Sequence, residues 1–208
     1  WRQSEVWPLE TEVRTNLHLA SNGTLSRDLP EAASVIRGSF SPPPAAETVS
    51  VSVPDGGLIF QTEPLESDTE VTGHPVVNLW IESDQPDADV TAFLLDIAPD
   101  GTTQTFQMLG RLRASHRATT EPPYNHLGLP WHSFTSDDAA PLTPGVPAQL
   151  SFDMLPMSYL FQRGHRIRLL LNFAPASGDH GHDGQIQILT GGETNSHIVL
   201  PIIPTSGD

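Results

Sequence analysis

The sequence predicts an all-β chain with long loops and little helix. Its apolar residues fall in short runs, several of which alternate with polar residues at the period of two that sends successive side chains to opposite faces of a strand. Twenty prolines and 16 glycines punctuate almost every run, and neither residue suits the interior of a long helix. No heptad or internal repeat interrupts this pattern. A length of 208 residues fits one sandwich and would also accommodate two small domains. One domain over 1–208 is the simpler expectation, because a chain this size buries roughly 70% of its unfolded surface without a disulfide or metal staple.

Each element has its own justification. Residues 1–12 read as an irregular opening segment whose Trp7, Pro8 and Leu9 can dock on a neighbouring apolar surface. Val13 to Leu19 alternates and ends in the turn signal Ser21-Asn22-Gly23, which predicts a strand. Residues 26–47 are rich in Pro, Ser and Ala and predict a long loop, with room for one helical turn around Glu31 to Val35. Val49 to Val53 and Leu58 to Phe60 flank Pro54-Asp55-Gly56-Gly57, which predicts a bend or hairpin. Val76 to Ser83 and Val90 to Ala98 are the strongest strands, followed by one carrying Phe106, Met108 and Leu112 on a single face with a bulge at Gly110. Residues 115–147 predict a second long loop. Gln149 to Asp153, His165 to Phe173, Gln185 to Leu189 and His197 to Ile203 complete the strands.

Two strands predict their surroundings. In the segment from His165, Ile167, Leu169, Leu171 and Phe173 form one apolar face, with Arg166 and Arg168 opposite. In Val90 to Ile97 both faces are apolar: Phe93, Leu95 and Ile97 on one, Val90, Ala92 and Leu94 on the other. Such a strand is covered on both sides. One cover is an opposing sheet; the second is a loop or another domain. An apolar patch around Trp1, Trp7 and one side of this strand is therefore expected.

Composition excludes several function classes. With no cysteine, the chain has no disulfide framework, thiolate metal site or Cys nucleophile. A formal net charge of -15, with arginine as the only basic residue apart from histidine, opposes phosphate backbones and anionic lipid, so no nucleic-acid or membrane partner is expected. The compartment stays open, leaning to the cytoplasm, and contacts between copies of the chain stay open too.

The segment Asp87 to Gly101, an apolar strand entering a Pro-Asp-Gly turn, and the segment Tyr159 to Leu171 together resemble the C-terminal β-sandwich of the X-prolyl dipeptidyl-peptidase and cocaine-esterase family of serine hydrolases. Trp7-Pro8-Leu9, Leu17 to Gly23, Thr62 to Leu65, Val71 to Pro75 and Ser196 to Pro204 extend the resemblance along most of the chain. It implies a jelly-roll β-sandwich of galactose-binding-domain-like type. It also implies a non-catalytic domain that supports an α/β-hydrolase catalytic domain of the same parent protein and its substrate cleft. The chain lacks the G-x-S-x-G nucleophile elbow, so no catalytic residue is assigned, and no cofactor is expected. The alternative is a free-standing module for carbohydrate or another polar ligand.

Tyr124, His126, Trp131 and His132 lie in the second long loop with Asp137 and Asp138. Aromatic rings beside carboxylates suit a sugar platform or the rim of a substrate cleft; a loop pinned to the sandwich by Trp131 and Phe134 is the plainer reading. Asp179, His180 and His182, beside Asp183, are the candidate metal ligands, against a solvated Gly-rich loop. Asp87, Asp89, Asp96 and Asp100 read as turn and strand-end carboxylates, and Arg111, Arg113 and Arg117 as partners of the chain's own acids. The Ser115-His116 and His132-Ser133 neighbours are read as coincidence, since adjacent strand residues face opposite ways.

Overall fold

The computed structural model describes residues 4–40, 57–173 and 183–204, with the side chains of residues 105–108 left aside. Its strands are β1 (Val13–Leu19), β2 (Leu25–Ser26), β3 (Ser34–Phe40), β4 (Leu58–Gln61), β5 (Thr69–Gly73), β6 (Val76–Ser83), β7 (Asp89–Ile97), β8 (Thr103–Arg113), β9 (Ala148–Asp153), β10 (Met157–Phe161), β11 (Arg166–Asn172), β12 (Gly184–Thr190) and β13 (His197–Ile203). Helix among the described residues is confined to two 3-10 turns, Ala114–His116 and Ser136–Asp138. The all-β expectation holds.

The strands form two sheets. The larger runs β10-β5-β13-β6-β12-β3, with β1 and β2 joined through β13 and β9 through β6; the smaller runs β4-β11-β7-β8. One edge of β6 is shared: its first half pairs with β13, its second with β12. Ser196, fully buried, fills the hand-over between them. Its hydroxyl accepts from the Trp80 amide at 2.9 Å and donates to the Leu189 carbonyl at 2.7 Å, so both of these backbone groups are satisfied where one partner strand replaces the other.

One core fills the space between the sheets. Val77, Leu79 and Ile81 of β6, Leu150 and Phe152 of β9 and Ile186 and Ile188 of β12 meet Val90, Ala92 and Leu94 of β7 and Ile167, Leu169 and Leu171 of β11. Burying each of these side chains larger than alanine contributes about 1.5–3 kcal/mol. β11 shows the expected face, with Ile167, Leu169, Leu171 and Phe173 buried and Arg166 and Arg168 less so. β7 is buried on both sides: Leu95, Ile97 and Leu170 form a second cluster on the outer side of the smaller sheet, with Phe93 packed against it. The expected exposed patch is therefore absent at Leu95 and Ile97, which are closed over. Trp7 is 44% exposed, and Trp1 lies outside the described residues.

Three expectations need correction. The expected loop over 26–47, with its helical turn around Glu31 to Val35, contains β3, whose seven residues pair in continuous register with β12. Gly38 gives β3 its place there, since a Cβ at that position would stand 3.1 Å from the Phe173 ring. β5 and β10 are additional strands that pair with one another. The bulge lies elsewhere than Gly110: Gly110 pairs regularly with Ala92, and the register shift falls opposite Leu94 to Asp96. Gly110 is instead a close approach, its would-be Cβ only 2.8 Å from the Asp153 carbonyl oxygen. Asp96, read as a strand-end carboxylate, is the penultimate residue of β7 and is 1% exposed between the sheets. The expected strand Val49 to Val53 lies outside the described residues.

Candidate functional site

The loop between β8 and β9 is held to the sandwich along its length. At its start, Asp87 accepts from the Ser115 amide and hydroxyl at 2.9 and 2.7 Å and from the Arg113 guanidinium at 2.6 Å. Burial pushes the Asp87 carboxyl up, but these donors, with the Ala88 amide, outweigh it and hold it below its ordinary value. The Ser115 hydroxyl is thus committed to Asp87. Arg117 donates to the Ala114 carbonyl at 3.1 Å and to the Ala140 carbonyl, drawing the two ends of the loop together.

His132 is the central strut. It is 6% exposed, with Nδ1 3.1 Å from the Ala118 carbonyl and Nε2 2.9 Å from the Ser151 carbonyl on β9. Beyond it, the Thr120 amide donates to the Trp131 carbonyl at 3.0 Å, closing an excursion that carries Tyr124 and His126. A tight turn brings the chain back: the Leu129 amide donates to the His126 carbonyl, Asn125 Oδ1 accepts from the Leu127 amide, and Leu127 and Gly128 both have positive φ.

This excursion overhangs the outer face of the larger sheet and borders an open cavity of about 750 Å³. Val76, Asn78, Ser151 and Val199 line it from the sheet, Arg14 from β1, and Glu121, Tyr124, His126 and Trp131 from the loop. The Ser151 hydroxyl donates to Asn78 Oδ1 at 2.8 Å. Three rings stand nearly perpendicular to one another: Tyr124 and Trp131 at 5.2 Å and 75°, His126 and Trp131 at 5.1 Å and 74°, Tyr124 and His126 at 5.7 Å and 82°. They pack edge to face on one another, whereas a sugar platform needs one broad exposed face. Two smaller hollows continue the cavity along the sheet, sharing Arg14 and Leu129 and then Leu9; Trp7 lines the farther one.

The structure thus brings Tyr124, His126 and Trp131 together and places His132 beneath them, as a support outside the cavity lining. Asp137 and Asp138 sit apart, in a 3-10 turn where Ser133 and Thr135 donate to Asp138. Arg14, Asn78, Glu121 and Ser151 were missed by sequence reasoning; the polar Asn78 amid Val76-Val77 and Leu79-Trp80 was the available signal. Asp179, His180 and His182 lie outside the described residues, and among the described residues no group of three or more His, Asp or Glu side chains could hold a metal. Arg111 and Arg113 pair with Asp89 and Asp87 as expected, while Arg117 binds carbonyls. Asp100 caps its turn by accepting from the Thr102 amide at 2.9 Å.

Comparison with known proteins gives consistent findings. The model of the family described as the X-Pro dipeptidyl-peptidase C-terminal non-catalytic domain matches residues 1–172. A Mycobacterium bovis protein named as a conjectured serine esterase is 45% identical over 122 residues, 58% of this chain and 19% of its own length. The cocaine esterase of a Rhodococcus strain is 27% identical over 98% of this chain and 40% of its own length. The solved structure of a CocE/NonD family hydrolase from Staphylococcus aureus superposes with a TM-score of 0.78 at 21% identity, over 98% of this chain and 38% of that one. The chain therefore spans between about a fifth and two fifths of the length of these proteins.

Proposed function

We propose, from the premise that this chain belongs to the family of X-Pro dipeptidyl-peptidase C-terminal non-catalytic domains, that it braces the α/β-hydrolase catalytic domain of a parent esterase or dipeptidyl-peptidase and walls part of its substrate cleft. The observation that carries this reading is the family match over residues 1–172, joined to relatives more than twice as long as the matched part. The trough across the outer face of the larger sheet is the surface offered to that domain. It is bordered by Val6, Trp7 and Tyr124, which are 48%, 44% and 55% exposed, and apolar side chains of this kind gain most when a partner covers them. The ring-bearing loop stands over this trough, where a cleft shared by two domains would open.

The test is direct. The purified chain is expected to leave a p-nitrophenyl ester and an Xaa-Pro anilide intact, whereas the gene, read upstream of the Trp1 codon, is expected to encode a nucleophile-elbow serine. Hydrolysis by the chain alone, abolished by a serine-directed inhibitor, overturns the proposal.

A further inference from the structure

The geometry points to Asn22 as a self-modifying site, where the Gly23 nitrogen expels the side-chain amide and leaves aspartate or isoaspartate. Of the six asparagines, Asn22 alone precedes glycine. The others precede Leu17, Leu79, His126, Phe173 or Ser196, whose side chains crowd the backbone nitrogen that would attack. Asn22 is exposed in the turn that joins β1 to β2. The Thr24 amide donates to its Oδ1 at 3.0 Å, and an N–H aimed at that oxygen stabilises the negative charge it gains under attack. Gly23 has a φ of 81° and no Cβ to obstruct the approach. Its N–H is held by the Ala20 carbonyl at 3.0 Å, so reaction waits on local opening of the turn. The step balances with water as the only co-reactant. Base removes the Gly23 amide proton, the nitrogen bonds to Asn22 Cγ, the Cγ–Nδ2 bond breaks, and ammonia leaves with a proton from water. Water then opens the five-membered imide, giving aspartate through one carbonyl and isoaspartate through the other.

A second turn supplies the control. Ala98-Pro99-Asp100-Gly101-Thr102 repeats Ala20-Ser21-Asn22-Gly23-Thr24 bond for bond. The amides of Gly101 and Gly23 donate to the carbonyls of Ala98 and Ala20 at 2.9 and 3.0 Å, and the amides of Ala98 and Ala20 to the carbonyls of Thr102 and Thr24 at 2.9 and 3.0 Å. Asp100 Oδ1 accepts from the Thr102 amide at 2.9 Å, and Gly101 has a φ of 85°. The Thr102 amide and hydroxyl hold the Asp100 carboxyl below its ordinary value. An ionised carboxylate repels a nucleophile and has no ammonia to lose. One turn is therefore reactive with an amide and inert with an acid, and Asp100 shows that it accommodates aspartate. Isoaspartate is different, because it inserts a methylene into the backbone where the Gly23 carbonyl accepts from the Gln61 amide at 2.9 Å. That bond ties the turn of the larger sheet to β4 of the smaller, and the isoaspartate form loosens it. The bracing role has no part in this chemistry.

The experiment incubates the full 208-residue chain in mildly acidic and mildly alkaline buffer, then digests it with an arginine-specific protease, which releases residues 15–27. Mass spectrometry and labelling with an isoaspartyl methyltransferase read the products. Asn22 is expected to convert at a rate that rises with pH, while Asp100 in the same sample gives isoaspartate about tenfold or more slowly. Asp100→Asn, which the Asn22 turn shows to be compatible with the fold, is expected to open a second site that converts within about tenfold of the rate at Asn22. Asn22→Asp should melt within about 2 °C of the unsubstituted chain, and a fraction enriched in isoaspartate about 2–4 °C below it. Persistence of Asn22 through an alkaline incubation that converts the free 15–27 peptide overturns the proposal. So does isoaspartate appearing at Asp100 as fast as at Asn22, or an inert Asp100→Asn. A larger loss of stability in Asn22→Asp overturns the accommodation of the aspartate product.

Discussion

Asp96 couples the two sheets. It lies on β7 of the smaller sheet and accepts a hydrogen bond at 2.8 Å from the hydroxyl of Tyr159 on β10 of the larger, with His165 Nδ1 2.9 Å away. Burial, then the hydrogen bond and charge of Asp96, push the Tyr159 phenol from its ordinary 10.0 up to about 12. Because the folded state favours the neutral phenol, this contribution is complete below about pH 10 and is lost as the pH rises toward about 12. Denaturant midpoints are expected to fall across that window. In Tyr159→Phe the fall should be shallower, from a starting stability lower by about 1–3 kcal/mol because the buried carboxylate loses a donor. Identical pH slopes in the two proteins would show that Tyr159 does not carry the effect. None of this was legible in the sequence, where Asp96 stands 63 and 69 residues from its partners. Residue spacing reports neighbours on one strand and is silent about which strands face each other.

Among the elements, legibility followed local apolar content and turn signals. β1, β6 and β13 were read with their observed bounds, because each carries at least three aliphatic residues and, in β1, a turn signal follows. β3 and β5 were not read, because β3 lies in a stretch rich in Pro, Ser and Ala and β5 holds one apolar residue, Val71. Their extended form comes from pairing with β12 and with β10 and β13, a tertiary effect that overrides weak local propensity. The two-sided character of β7 was legible, and it gives a measurable contrast. Leu95→Ala, at a site 3% exposed, is expected to cost about 2–5 kcal/mol by the usual price of a buried cavity. Ile59→Ala, at a site 49% exposed in the same sheet, should cost no more than about 0.5 kcal/mol. Chemical denaturation of both variants checks this. Equal losses would mean that the outer cluster contributes nothing beyond surface contact.

At the scale of the molecule, one core spans both sheets, and a net charge of -15 surrounds it. Like charges on a compact body repel, and salt relieves that repulsion as the Debye length shrinks from about 30 Å at 0.01 M to about 8 Å at 0.15 M. Added sodium chloride over this range is therefore expected to raise the melting temperature by about 2–4 °C, the response of a domain this size to about 1 kcal/mol. A fall on adding salt would mean that the ion pairs Arg111–Asp89 and Arg113–Asp87 outweigh the general repulsion. Family membership was legible in the sequence because the resembling segments are spread in order along the chain. The cavity was not, because its walls come from β1, β6, β9, β13 and the long loop, which meet only on folding.

The edge strand β8 has a consequence for how the protein behaves at high concentration. An open margin eleven residues long would ordinarily template stacking of one copy on the next. Here its register breaks opposite Leu94 to Asp96, its Leu109 carbonyl is taken at 2.9 Å by the Leu155 amide, and Arg111 and Arg113 stand at its far end. An irregular, partly capped margin offers a poor template, so copies are expected to join less readily through this edge than through a smooth β8.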